Sequence, residues 1–348
     1  MEACLYHPEY GYYTRTDQSE RRDYITSVDV TPLFGRLLAR QFREMWTLLG
    51  QREAFTLVEA GAGTGQLARH VLDFAAAELP EFYSALRYIT VERSASRRNE
   101  QAKKLESHLA AGRFSSRADM PAEISDACVF SNELLDAFPV HRVVREGGEL
   151  KEIFVAGSDS EFHEETGPLS SRAITAYFEE QRITLQEGQI AEVNFAACQW
   201  IEDVARRLKR GFVLTIDYGH EAKELYDERH MRGTLLAYDR HRVSEGFYRA
   251  PGEQDLTAHL NFTALDVWGR RGGLTRCGFT SQTNFLLALA RHANFADLNL
   301  DEAAEPAKAA ARSVFKTLIH PEGMGETFRV LLQCKGISCP RLTGFEPL

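Results

Sequence analysis

The sequence contains no C-x-x-C pair. Its six cysteines, Cys4, Cys128, Cys198, Cys277, Cys334 and Cys339, are scattered along 348 residues. That absence removes the usual zinc-ribbon and thioredoxin signatures, and a chain of this size needs no disulfide staples. Incidental or buried thiols in a reducing compartment are expected, with no metal site. Also missing is any apolar run near the ~20 residues that span a bilayer, so no membrane-spanning helix is expected. Positive charge is in deficit: 41 Lys and Arg stand against 50 Asp and Glu, a net charge of −9. General affinity for nucleic acid or anionic membranes is therefore not expected. The opening MEACLYHPEYGYY has acids and no apolar core, so a secretion signal is not expected and the cytoplasm is the expected location. Internal repeats and low-complexity tracts are absent too.

What remains is an ordinary globular composition, 44% hydrophobic and 26% charged, long enough for one large domain or two. Helical spacing of Leu33, Phe34, Leu37, Leu38, Phe42, Met45 and Trp46 predicts a helix over Thr31–Gly50. Thr31 suits its cap, Pro32 its first turn and Gly50 its end. Strands are predicted at Phe55–Glu59, Leu86–Glu92, Arg113–Arg117, Ala127–Ser131 and Phe212–Asp217, and helices at Gln66–Ala77, Ala95–Leu109 and Ala196–Lys209. This alternation predicts an α/β fold with a doubly wound, mostly parallel sheet. Val314–His320 and Thr327–Cys334, flanking PEGMGE, are expected to form an antiparallel edge hairpin. Residues 140–195 and 220–275 break the alternation and are read as inserted α+β segments covering the site, together with 1–30. The α/β domain would then comprise 31–139, 196–219 and 276–348.

The chemistry concentrates in LVEAGAGTG, residues 57–65. An apolar strand ends in an acid and three alternate glycines, a turn that brings bare backbone to a ligand. A P-loop would need Lys and Ser or Thr directly after the glycines, whereas Gln66 and Leu67 follow Gly65. A dinucleotide turn is spaced G-x-G-x-x-G, and Gly61, Gly63 and Gly65 are spaced G-x-G-x-G. Glu59 discriminates better, because it would repel a pyrophosphate. S-adenosylmethionine has no phosphate; its ammonium suits an acid and its carboxylate suits backbone N–H groups. Glu92 ends the next strand, where one carboxylate can hold two ribose hydroxyls. The alternative for these glycines is a turn used only for close helix–strand packing. Asp119 and Met120 follow the third strand as candidates for the adenine, with a polar loop equally consistent. After the fourth strand, SNELLDAFP crowds Asn132, Glu133 and Asp136 at a strand end. A helix cap at Asn132 would explain part of that crowding without excluding a role in the site.

Together these segments resemble the MidA-type family of S-adenosylmethionine-dependent methyltransferases, which includes a mitochondrial assembly factor that methylates an arginine in a respiratory complex I subunit. The resemblance rests on LYHPEYGYY (5–13), DYITS (23–27), LVEAGAGTGQL (57–67), SNELLDAFPV (131–140), LTIDYG (214–219), DLTAHLNF (255–262) and HPEGMGETFRVL (320–331). The chain departs from it at Arg22, Asp23 and Tyr24, where the family has Gly-Asp-Phe, and at Ala62, where the family has Pro. The resemblance implies a class I methyltransferase-like fold, S-adenosyl-L-methionine as cofactor, and a protein substrate such as a respiratory-complex subunit. The cofactor candidates read from the residues are Glu59, Gly61, Gly63, Gly65, Glu92, Asp119, Met120 and Asn132, and the resemblance adds Ser27. Glu133 and Asp136 are the carboxylates chosen to carry the chemistry, and the resemblance adds His259, with Asn261 lining the site. An arginine acceptor is a cation with a planar fork, which paired carboxylates match in a bidentate way. Glu133 is the first choice for that contact and Asp136 the second.

Overall fold

The computed structural model describes residues 1–14, 32–157, 161–239, 242–295, 313, 315–316, 318–320 and 327–348. Ser27 and Thr31, named above as a site residue and a helix cap, lie outside the described residues. The chain forms two compact units, and each is interrupted in sequence by the other.

One unit comprises Ile25–Leu134, Asp203–Asp217 and Gly269–Leu348. Its strands are β1 (Phe55–Ala60), β2 (Leu86–Val91), β3 (Phe114–Arg117), β4 (Ile124–Asn132), β9 (Leu208–His220, whose last three residues belong to the other unit), β14 (Thr275–Ser281) and β15 (Phe328–Lys335). They lie in the order β3-β2-β1-β4-β9-β15-β14. Pairing is parallel from β3 through β9 and antiparallel between β14 and β15. Burial explains the apolar runs: Leu57, Val58, Cys128, Val129, Phe130, Phe212, Val213 and Leu214 are almost fully enclosed. The helix Pro32–Leu48 lays Leu37, Leu38, Phe42 and Met45 into this core, and the Phe42 ring lies 5.0 Å from that of Phe130. Register then sets the site. Ala60 pairs with Val91 of β2 and Ser131 of β4, so the ends of three neighbouring strands lie level at one edge.

Two expectations need correction. The antiparallel partner of β15 is Thr275–Ser281, not 314–320. Ser313, Phe315, Lys316, Leu318 and Ile319 are helical, and Phe315 and Leu318 are buried. Apolar residues at 315, 318 and 319 follow helical spacing rather than strand alternation, which is the physical reason. The helix expected over Ala95–Leu109 is two helices, Ala95–Lys104 and Glu106–Ala110, separated at Leu105.

The other unit comprises Met1–Tyr24, Leu135–Glu202 and Tyr218–Trp268. A four-stranded antiparallel sheet runs in the order β7 (Phe162–Gly167), β6 (Glu149–Gly157), β5 (His141–Glu146), β8 (Ile190–Val193). A smaller sheet runs β11 (Arg242–Ser244), β10 (Leu236–Asp239), β12 (Asp255–Thr257). The two-residue strand β13 (Leu260–Asn261) pairs parallel with Gly219 and His220 at the end of β9. Leu5, Tyr12, Ala137, Ala237 and Leu256 form one of its apolar clusters. No described helix in either unit is long and apolar enough to cross a membrane.

Candidate functional site

The three glycines after β1 all adopt positive φ, +72° at Gly61, +51° at Gly63 and +75° at Gly65, yet for different reasons. A Cβ on Gly61 would lie 2.6 Å from Leu134 Cδ1, and one on Gly65 would lie 2.8 Å from Gln101 Cγ. Those two positions are glycine because neighbouring side chains occupy the space. A Cβ on Gly63 would meet only Arg97 Nη1, at 3.7 Å. Gly63 is therefore the glycine of the three whose Cβ position faces open space, while Gly61 and Gly65 fit the packing reading.

Gly63 is held from both sides. Its N–H donates to Glu92 Oε2 at 3.0 Å, and its carbonyl accepts from Gln101 Nε2 at 2.6 Å. Glu92 Oε1 accepts the Ser94 N–H at 2.9 Å. Each Glu92 oxygen thus accepts one backbone bond and retains acceptor capacity, as a ribose diol requires. Gln101 is fully buried, and its Oε1 accepts from Thr90 Oγ1 at 2.7 Å and Ser116 Oγ at 2.6 Å. It ties β2, β3 and the glycine turn together. Nothing in its polar helix, ASRRNEQAKK, marks it from sequence.

Glu59 is buried, not at an exposed strand mouth, and accepts from the Tyr88 hydroxyl at 2.7 Å. Burial pushes its pKa up to about 8; the Tyr88 bond opposes that rise, and the charge of Glu92 adds to it. At neutral pH the group is mostly protonated until a cation approaches. Beside it on β4, Ser131 Oγ and Asn132 Oδ1 are buried and make no hydrogen bond. Buried polar atoms usually have partners, so these two would be available to a polar ligand. Asp119 is exposed and Met120 half-buried in the loop after β3. The Met120 carbonyl accepts from Arg207 Nη1 at 3.3 Å.

At the end of β4, Glu133 takes φ +52°, a conformation that costs a non-glycine residue about 1–2 kcal/mol. Its N–H donates to the Ile216 carbonyl at 3.0 Å, and its Oε1 accepts from Asn132 Nδ2 at 3.0 Å. The next N–H, of Leu134, donates to Asp217 Oδ2 at 3.3 Å. Asp217 is fully buried at the adjoining position of β9. The strand FVLTID was legible from sequence, but this anchoring role for its last residue was not. Leu134 then lies against Gly61, which brings the Asn132–Leu134 turn and the glycine turn together. No helix begins at Asn132; the turn is held by β9 instead.

Asp136 and His259 belong to the other unit. Asp136 is buried, its carbonyl accepts the Ala258 N–H at 3.0 Å, and its charge adds to the burial that raises the Tyr238 pKa. His259 lies with His220 and His230. Asn261 is committed to structure: Nδ2 donates to Tyr177 and Gln181, and Oδ1 accepts the Ala264 N–H as a cap for the helix Phe262–Arg271.

An open, left-handed Gly63, an acceptor pair at Glu92, a buried acid and two unpartnered polar atoms suit a nucleoside with a cationic amino-acid arm. The comparisons agree. The model of a family described as S-adenosyl-L-methionine-dependent methyltransferases matches residues 37–280. The protein arginine methyltransferase NDUFAF7 homolog of Drosophila melanogaster, mitochondrial, is 27% identical, covering 98% of this chain and 82% of that protein. Human protein arginine methyltransferase NDUFAF7, mitochondrial, is 26% identical over 94% of this chain and 77% of its own length. A COG1565 superfamily member from Burkholderia thailandensis, solved bound to S-adenosyl-homocysteine, has 30% identity and a TM-score of 0.86, covering 99% of this chain and 88% of that one. The cofactor is S-adenosyl-L-methionine; Gly63, Glu92, Glu59 and the end of β4 are the candidates that would hold it. The chain belongs to the MidA-type family of S-adenosyl-L-methionine-dependent methyltransferases.

Proposed function

We propose that this methyltransferase acts on arginine in a protein substrate and that Glu133 receives the guanidinium. The observation that carries this reading is the Glu133 backbone. A strained, non-glycine residue is held at φ +52° by Ile216, Asn132 and, through Leu134, Asp217. Backbone strain of this kind persists where the surroundings over-determine it, and it clusters at functional sites. Leu134, the next residue, lies against Gly61, so the Glu133 turn adjoins the glycine turn. The relatives named above as protein arginine methyltransferases support the same acceptor.

The cofactor supplies a methyl group already activated by its sulfonium. The chain must align a nitrogen lone pair and exclude water. A carboxylate here does two further things: it grips two N–H groups of the fork, and it offsets the positive charge while the methylated nitrogen loses its proton. Mass spectrometry of host proteins with and without the gene tests the reading. Arginine-methylated peptides that vanish with the gene are expected. Methylation that vanishes only from another side chain or from a small molecule would overturn it.

A further inference from the structure

Three histidines distant in sequence converge within one unit. His220 ends β9, His230 ends the short turn Glu228–His230, and His259 immediately precedes β13. Pairing of β13 with the end of β9, Leu260 opposite Gly219, sets His259 beside His220. Ring centroids are 5.4 Å apart for His220 and His230, 5.4 Å for His220 and His259, and 6.2 Å for His230 and His259. One ring nitrogen from each lies within 4.8 Å of the others.

The surroundings resemble the supports of a metal centre. His230 Nδ1 lies 3.1 Å from the Glu224 carbonyl, within hydrogen-bonding geometry, and His220 Nδ1 approaches Glu224 Oε2 to 3.2 Å without that geometry. Metal-binding imidazoles commonly give one nitrogen to a carboxylate or carbonyl and the other to the ion. His259 Nδ1 is enclosed and makes no hydrogen bond. Burial and the two neighbouring imidazoles pull the His259 pKa down to about 3, so its ring is neutral at physiological pH, the form that coordinates. Alternatives fit less well. Three imidazoles packed for their rings alone would more commonly pair a buried nitrogen than leave it as His259 Nδ1 is left. A charged cluster is opposed by the same depression of His259.

We propose that His220, His230 and His259 bind one divalent transition-metal ion of the zinc class, each through one imidazole nitrogen. Tetrahedral zinc at ~2.0–2.1 Å from nitrogen places its ligands about 3.4 Å apart, so small side-chain rotations would close the site. The ion would tie the end of β9 to the Glu228–His230 turn and to β13, clipping together a segment of the chain that is otherwise long and polar. This is independent of the acceptor proposed above.

Cobalt(II) added to the full-length, metal-free chain provides the test, because its visible ligand-field bands report tetrahedral nitrogen coordination. One equivalent should bind with those bands and without the near-ultraviolet charge-transfer band of a thiolate. That distinction separates the site from Cys277, Cys334 and Cys339, which also cluster. Zinc should raise the melting temperature of the wild type. Both effects should be lost in His230→Ala. In the wild type, zinc should protect the three histidines from diethyl pyrocarbonate, a readout that needs no variant. Failure of the wild type to bind near stoichiometry would overturn the proposal. So would binding that survives His230→Ala, that carries a thiolate band and disappears on cysteine alkylation, or that leaves histidine modification unchanged.

Discussion

The Glu92 carboxylate accepts the N–H of Gly63 at 3.0 Å while its second oxygen accepts that of Ser94. One side chain thereby links the glycine turn after β1 to the first turn of the helix after β2. Glu92→Ala should weaken S-adenosylhomocysteine binding by about 1–3 kcal/mol, the usual cost of removing a charged hydrogen-bond partner. Titration calorimetry checks it. Unaltered affinity with a lower melting temperature would leave Glu92 as a structural tie and move the ribose elsewhere.

Gly63 and Gly65 should fail in different ways. Gly63→Val should abolish S-adenosylhomocysteine binding, because the added carbons enter open space that the ligand needs, while the left-handed backbone at φ +51° costs the branched residue about 1–3 kcal/mol of stability without unfolding the protein. Gly65→Ala should instead lose stability by about 1–3 kcal/mol, since Gln101 must move. Thermal denaturation beside calorimetry separates the two. Unchanged affinity in Gly63→Val would show that the ligand lies elsewhere.

Glu59 makes binding pH-dependent. Its pKa in the unliganded protein is about 8, and the cofactor ammonium favours the ionised form. Below pH 8 binding must release a proton, so affinity should rise with pH by up to about tenfold per unit and level off above 8. The stability effect runs with a definite sign. An acid whose folded pKa exceeds its unfolded value favours the folded state at low pH, and that contribution falls as pH rises from about 4.5 to about 8. Glu59→Gln should flatten both profiles. Calorimetry in buffers of different ionisation enthalpy counts the released proton, and no proton uptake or release would contradict the assignment.

Much of this site was legible from residue order, because strand ends and glycine spacing are local features. Glu59, the glycines, Glu92 and the Asn132–Glu133 pair were identified that way, and the structure brings them to one edge of the sheet. Long-range partners were not legible. Gln101 sits in a polar helix, yet it holds Gly63 at 2.6 Å. Asp217 reads as the end of a buried strand, yet it accepts from Leu134. The edge partner of β15 comes from Thr275–Ser281, far back in the chain, and the nearer 313–319 stretch follows helical spacing. The three histidines meet only because β13 pairs with the end of β9. Pairings of that kind depend on register, which no single stretch of sequence carries.

Gln101 acts through Gly63, so it is a positioning residue. Gln101→Leu keeps its bulk but removes the bonds to Gly63, Thr90 and Ser116. Three polar groups lose a buried partner, which should cost about 1–3 kcal/mol of stability. Cofactor affinity should fall several-fold as the turn loosens. Gln101→Glu should not restore affinity at a pH where its carboxyl is ionised, because a carboxylate has no proton to donate to the Gly63 carbonyl. Equal affinity in all three proteins would reduce Gln101 to a packing role.

Glu133→Gln tests the arginine reading most directly. The substitution keeps the size of the side chain and removes its charge, so the fork loses its anionic partner while the cofactor turn is untouched. The measurement is arginine methylation of host proteins, by mass spectrometry, in cells carrying either wild-type or Glu133→Gln protein, with S-adenosylhomocysteine affinity measured on both purified chains. The account predicts cofactor affinity within a few fold of wild type and near-complete loss of the gene-dependent methylarginine. Full methylation by a folded, cofactor-binding Glu133→Gln protein would contradict it.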